Sequence, residues 1–421
     1  MSFWAPVLHF LRQTRILNRM KNFIERFRIP EWSFLILLSV FPFFQVLEHA
    51  TLFMLPICVF LLICFLQSLL QTSHPKFDFA DFLVFLILLL QISTAFTGYG
   101  RAVDALTAAL LTSVWFFARR FFAKDERNLL LFLSSAALLV ISVIGVGEYI
   151  FGMAELRWID ARRFGNIGGR VTSLFSNPNI LAVYLMLYFP IPLWAAFLPQ
   201  NKGRMRFFYA TDAVCCAFCT LLTWSRGAWI GLMLEIFIFL LSYSRKSRIA
   251  TLWLLPIAFA SIPILPTSVR ERLFSIGDLG ESSIRYRLQT WQGTFQMMKH
   301  HPTGIGVGER AWRVIYPHFA VSGTKNVMHA HNIFLQVGTE LGMVGLIVFL
   351  LLIGTALVCA CQKENILALA AISGTLIMGL FDHIWYYPGM LVPFWSMLAF
   401  CMGSDGKVMK KADFVDILHE K

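Results

Sequence analysis

Apolar blocks of about 20 residues recur along most of this chain, and no other feature restricts its fold so tightly. A helix of that length crosses the hydrocarbon core of a bilayer. Lipid cannot hydrogen-bond a backbone, so such blocks must satisfy their own peptide groups as helices. Composition agrees: of 421 residues, 57% are hydrophobic and only 14% charged, against about a quarter charged in soluble domains. A soluble globular protein is excluded. The expected fold is all-α, a polytopic membrane protein with about 12 transmembrane helices.

The apolar runs place these spans at 32–47, 50–71, 78–98, 102–120, 128–151, 178–199, 207–224, 227–243, 249–265, 333–358, 365–381 and 388–404. Pro42, Pro56, Pro190 and Pro192 fall inside spans and predict kinks. The organisation expected is a basic amphipathic cytoplasmic segment (1–31), spans one to nine (32–265), a large external loop of short helices (266–332), spans ten to twelve (333–404) and a cytoplasmic tail (405–421). The N-terminal segment carries Arg12, Arg15, Arg19, Lys21, Arg26 and Arg28, with apolar residues at helical spacing. It reads as a helix on an anionic membrane surface or as a solvated basic tail.

The formal net charge of +12 suggests nucleic acid in a soluble chain. Here the positive-inside rule explains it better, and no nucleic-acid partner is expected. With both termini cytoplasmic, 22 of the 36 Lys and Arg fall inside. Eight of the remainder sit in the long loop after span nine, where the rule has little force. The eight cysteines all lie in apolar segments, so no disulfide framework is implied.

Against that bias, arginines gather at the outer boundary. Arg226 opens span eight in TWSRGAWIG, Arg287 lies in RYRLQTW, and Arg170 precedes SLFSNPN. Singly, each is explained as a snorkelling, solvated or capping residue. Together they suit a phosphate-bearing headgroup, because the guanidinium fork grips phosphate oxygens and keeps its charge. The leaving group of glycosyl transfer from a lipid diphosphate is such a headgroup. His331, preceded by His329, begins span ten. An imidazole there could take the proton of an acceptor hydroxyl, or the pair could simply end a loop with Asn332 as helix cap. His300, His301, His318 and His383 are also external and unranked. No HExxH or comparable spacing supports a zinc site, and neither metal nor cofactor is expected. GIGVG at 304–308 reads as a tight turn. Carboxylates in or near spans (Asp81, Glu148, Asp212, Glu235, Glu340, Asp382) read as helix-to-helix hydrogen bonding.

These motifs together resemble the O-antigen ligase and polymerase superfamily. HNIFLQVGTELGMVG matches its signature with His331, Asn332, Gly342 and Gly345. HPTGIGVG (301–308), RLQTW (287–291), SRGAWIG (225–231) and RVTSLFSNPNILA (170–182) are similar to further family segments, so the likeness covers about 165–350. The resemblance implies a metal-independent glycosyltransferase of the bacterial cytoplasmic (inner) membrane with its active site facing outward. It would move glycan from undecaprenyl diphosphate to a hydroxyl of a glycan or glycolipid acceptor among membrane lipids. By motif position, Arg226 and Arg287 would hold the diphosphate, Arg170 would join them, and His331 would be the base. The ligases' Arg-x3-Leu motif is here Arg226 followed by Ile230, and polymerases share much of the pattern. A transporter or flippase is the alternative from another class, expected to show paired halves and polar groups near the midplane. A structural subunit of an envelope complex gives no reason for the arginines to gather.

Overall fold

A computed structural model of the protein describes residues 28–40, 42–43, 50–71, 77–96, 99–122, 127–156, 169–278, 280, 282–383 and 387–403. The expectations for the basic N-terminal segment up to residue 27 and for the tail after 403 lie outside the described residues. Sixteen α-helices follow in order among those described: α1 (Ile29–Ser39), α2 (Ala50–Gln71), α3 (Phe79–Ser93), α4 (Ala102–Phe121), α5 (Arg127–Ile150), α6 (Pro178–Tyr188), α7 (Pro190–Ala196), α8 (Gly203–Leu222), α9 (Arg226–Tyr243), α10 (Arg245–Ser261), α11 (Thr267–Phe274), α12 (Ser282–His300), α13 (Glu309–Ile315), α14 (Ile333–Gln362), α15 (Ile366–Gly379) and α16 (Pro388–Cys401). The only β-type pairing among them is one antiparallel bridge, Glu155 with Arg170.

The chain is all-helical, and a helix stands at every expected span. Seven stretches are long and apolar enough to cross a membrane: α3 with its 3-10 extension, α4, most of α5, α6 joined to α7, α8, α9 and α14. α1, α15, α16 and the centre of α2 are apolar but shorter. Outward-facing positions are apolar too. On α3, Phe82, Phe85, Leu89 and Ile92 are exposed at three- and four-residue spacing, while Asp81, Val84 and Ile87 are buried. An apolar stripe facing outward is what a lipid solvent selects.

The middle of the bundle is α6, buried on all sides from Ile180 to Tyr188, as expected for a helix hydrophobic all round. Pro190 ends it and opens α7, because proline lacks the N–H and clashes with the carbonyl four residues back. Helix α9 lies tight against α15. A Cβ on Gly231 would come within 2.9 Å of the Gly374 carbonyl oxygen, and one on Gly227 within 3.0 Å of the Met378 sulfur. The small residues of SRGAWIG therefore let two helices approach closely, the usual device of membrane helix pairs.

The segment between α10 and α14 has a core of its own. Met297, Ile305, Trp312, Tyr316, Val327 and Ala330 pack together. Trp312 Nε1 donates to the Val327 carbonyl at 2.9 Å, and the Tyr316 hydroxyl to Thr324 Oγ1 at 3.0 Å. This cap is stitched into α14, whose helical path breaks at Gly342 (φ 72°, ψ −176°). Across the break, Ile305 N and Gly306 N donate to the carbonyls of Thr339 and Glu340, and Met343 N donates to that of Pro302. Backbone groups freed by the kink are satisfied by the glycine-rich segment, so GIGVG does more than turn the chain.

Two of the span carboxylates make the expected helix-to-helix bonds, while Glu148 accepts from the backbone of Thr172 and Ser173 in a connection. Asp81 caps α3 and accepts from Trp115 Nε1, and Ser135 donates to Asp212 across α5 and α8. Gln336 and Gly308 N donate to Glu340. Asp382 lies beyond the end of α15 and accepts from Asn179.

Candidate active site

The described parts of four connections, 152–156 with 169–177, 223–225, 262–332 apart from 279 and 281, and 380–383 with 387, meet at one end of the bundle. Three helices start there with the same local device. A residue with left-handed backbone precedes an extended residue, and the helix follows: Ser176 (φ 54°) before Asn177 and α6, Trp224 (φ 53°) before Ser225 and α9, His331 (φ 49°) before Asn332 and α14. Left-handed backbone is rare outside glycine and strained in bulky residues. The Asn332 side chain accepts from Phe334 N and Leu335 N at 2.9 and 3.0 Å, and its amide donates to the Leu380 carbonyl. The capping role expected of Asn332 is therefore present, and it fixes His331 just ahead of the helix. The positive ends of three helix dipoles point to one region.

Asp382 is the hub of that region. One carboxylate oxygen lies 3.6 Å from His331 Nδ1 and accepts from His383 N at 2.9 Å. The other accepts from Asn179 Nδ2 at 2.8 Å. Asn179 in turn accepts from Arg170, whose Nε donates to the Thr223 carbonyl at 2.7 Å. Burial opposes the charge on Asp382, yet the imidazole of His331 facing it, with His329 and His383 beyond, holds its carboxyl well below the usual range. The imidazole of His329 sits between those of His331 and His383, with ring centroids 4.1 and 3.8 Å away. Burial and its neighbours push His329 well below the ordinary histidine value, and burial pulls His383 down to about 3.

The arginines converge on the same place. Burial, then the charges of Arg272, Arg287 and Arg226, lower Arg170 to about 9, with Asp382 opposing. Arg226 donates to the Ser275 carbonyl at 3.0 Å, to its hydroxyl at 3.1 Å, and to Ser283 Oγ at 2.8 Å. Those bonds tie α9 to the cap. Arg287 acts on His329 as well as on Arg170. Its neighbour Tyr286 has its ring 6.1 Å from that of His331, and Trp291 Nε1 donates to the Ala330 carbonyl at 2.9 Å. Helix α12 is thereby held over the histidine turn. Four like charges and three helix N-termini make a ready site for a multiply charged anion.

Residues 213–350 match the family model described as O-antigen ligase. Over that segment the chain resembles the O-antigen ligase family. The comparison with curated proteins gives no match. That likeness points to a glycan-transferring enzyme. The matched O-antigen ligase segment holds Arg226, Arg287, His329, His331, Asn332, Gly342 and Gly345, while Arg170 precedes it.

Of the residues singled out in the sequence, Arg170, Arg226, Arg287, His329, His331 and Asn332 come together at this end of the bundle. Gly342 and Gly345 stand apart from the charges and act on the backbone. A Cβ on Gly342 would lie 2.5 Å from the Thr303 carbonyl carbon and 2.6 Å from the Pro302 oxygen, and one on Gly345 would overlap the Leu341 side chain. Sequence reasoning missed three members. Asp382 was grouped with the scattered carboxylates, 51 positions beyond His331. Asn179 was visible only as part of SNPN. Arg272, which donates twice to the Trp224 carbonyl (3.2 and 3.1 Å), gave no signal in a polar loop.

Proposed function

We propose that the protein moves a glycan from undecaprenyl diphosphate to an acceptor hydroxyl, in the manner of an O-antigen ligase. The reaction takes place at the outer face of the bacterial cytoplasmic membrane. The chain crosses twelve times with both termini cytoplasmic, which puts the four converging connections on the outside. The acceptor is a glycan or glycolipid.

In this reading Arg226 and Arg287, assisted by Arg170, grip the diphosphate and stabilise the charge that grows on it as the glycosidic bond breaks. His331 takes the proton of the attacking hydroxyl. Asp382 faces Nδ1, so the other ring nitrogen serves as base, and the carboxylate stabilises the imidazolium that forms. Guanidinium groups supply the charge stabilisation, so no metal is needed for this step.

One observation carries the proposal: the Arg170 guanidinium is joined through Asn179 to the carboxylate that faces His331, and the charges of Arg287 and Arg226 act on that arginine. A carrier needs no such pair at a headgroup-binding surface. The test is reconstitution in vesicles with labelled lipid-linked glycan and candidate acceptors. One glycan per acceptor is the expected product. A growing ladder would make it a polymerase, and movement of donor without bond formation would make it a carrier. His331→Ala, Arg226→Ala and Arg287→Ala should each abolish transfer while expression and membrane insertion persist.

A further inference from the structure

We propose that His329, His331 and Asp382 form a binding site for a zinc-class divalent cation, and that its occupancy blocks glycan transfer. One potential ligand atom from each residue lies within 4.8 Å of the other two. The 3.6 Å between His331 Nδ1 and the Asp382 oxygen is already close to the roughly 3.4 Å edge of a tetrahedron with bonds of about 2.1 Å. That nitrogen is buried and has no hydrogen-bond partner, and it points at the carboxylate. Closing the third ligand onto the same centre takes a small side-chain movement.

The surroundings suit a metal site. Ligating carboxylates are normally held by an outer partner, and Asn179 Nδ2 holds the second oxygen of Asp382 at 2.8 Å. The His383 ring packs on that of His329 with centroids 3.8 Å apart, which fixes its orientation. Two imidazoles and one carboxylate favour zinc, copper or nickel over magnesium or calcium. The nearby guanidinium groups oppose a cation while the ionised Asp382 attracts it, so binding is reversible by chelator.

The blocking effect rests on the proposed glycan transfer, with His331 as its base. A cation on Nδ1 takes the lone pair there and leaves the ring's own proton on Nε2, so the nitrogen that must accept the hydroxyl's proton is no longer free. The binding itself needs no such assumption.

The test uses the full-length protein in lipid nanodiscs, titrated with zinc chloride and, as control, magnesium chloride. Expected are one zinc per chain, a shell of nitrogen and oxygen with imidazole scattering by X-ray absorption, and no magnesium binding at comparable concentration. His329→Gln and Asp382→Asn should each weaken zinc by at least ~10-fold, the scale reached even by outer partners of metal ligands. Wild-type transfer should stop at saturating zinc and return with EDTA. Zinc held equally tightly by both variants, sulfur in the shell, or no stoichiometric zinc would overturn the site. Zinc bound as described with transfer undiminished would overturn the block. If zinc binds as described but the wild type transfers no glycan without it, the site stands and the transferase reading falls.

Discussion

His331 Nδ1 and a carboxylate oxygen of Asp382 lie 3.6 Å apart, although the whole α14–α15 hairpin separates them in the chain. Both ends are fixed locally, His331 by the Asn332 cap and Asp382 by Asn179. Removing the charge from Asp382 while keeping its shape isolates the electrostatic part of the pair. Asp382→Asn should lower kcat by about 10²-fold or more, the range of general-base contributions, with donor KM little changed. Kinetics in nanodiscs against protein of matched expression check it. An unchanged kcat would remove Asp382 from the chemistry.

Arg226 and Arg287 should not tolerate lysine. An ammonium is a point charge and cannot reproduce a planar two-pronged grip on phosphate oxygens. Arg226→Lys also breaks the paired contacts to Ser275 and Ser283. Both variants should raise donor KM by about tenfold or more, since one tenfold step corresponds to only ~1.4 kcal/mol. Equal donor KM in wild type and Arg287→Lys would show that Arg287 is not a diphosphate ligand.

Much of this fold was legible because lipid enforces helices and apolar runs of fixed length. The outer arginines were legible because they break the charge bias. The spans expected at 365–381 and 388–404 run past the ends of α15 and α16 because a hydropathy window cannot see where a chain turns. After α15 the chain leaves the helix at Gly379 and carries Asp382 to the histidines, which only tertiary contact reveals. Arg272 was invisible for a related reason: it belongs to the chain's long hydrophilic segment, where charge is ordinary, and its meaning comes from the Trp224 carbonyl it clamps. The zinc-type grouping escaped as well, since spacing rules look for ligands near in sequence.

The glycine pair Gly304 and Gly342 predicts a stability effect separate from the chemistry. Each has positive φ, and each would drive a Cβ into the other's backbone: Gly304 toward the Glu340 oxygen at 2.5 Å, Gly342 toward the Thr303 carbon at 2.5 Å. Gly342→Ala should destabilise by more than about 1 kcal/mol, as alanine does where it cannot adopt the native backbone. Detergent-resistant thermal unfolding measures it. Because these residues touch none of the charged groups, protein that does fold should keep the wild-type donor KM.

Arg170 gives a pH dependence with a definite sign. Its pKa is lowered to about 9, first by burial and then by Arg272, Arg287 and Arg226. A depressed base carries its charge fully below that value and loses it as pH rises through it. The diphosphate keeps its own charge over the same window, so donor affinity should be flat from neutral pH to about 8 and fall as pH passes 9. Bound anion favours the charged arginine, so donor binding near pH 9 should take up protons, seen as a buffer-dependent heat in calorimetry. In Arg170→Gln both the alkaline fall in affinity and the proton uptake should be absent. If the fall persists in that variant, another group sets it, and Arg170 is a structural brace between Thr223 and Asn179 and not a phosphate ligand.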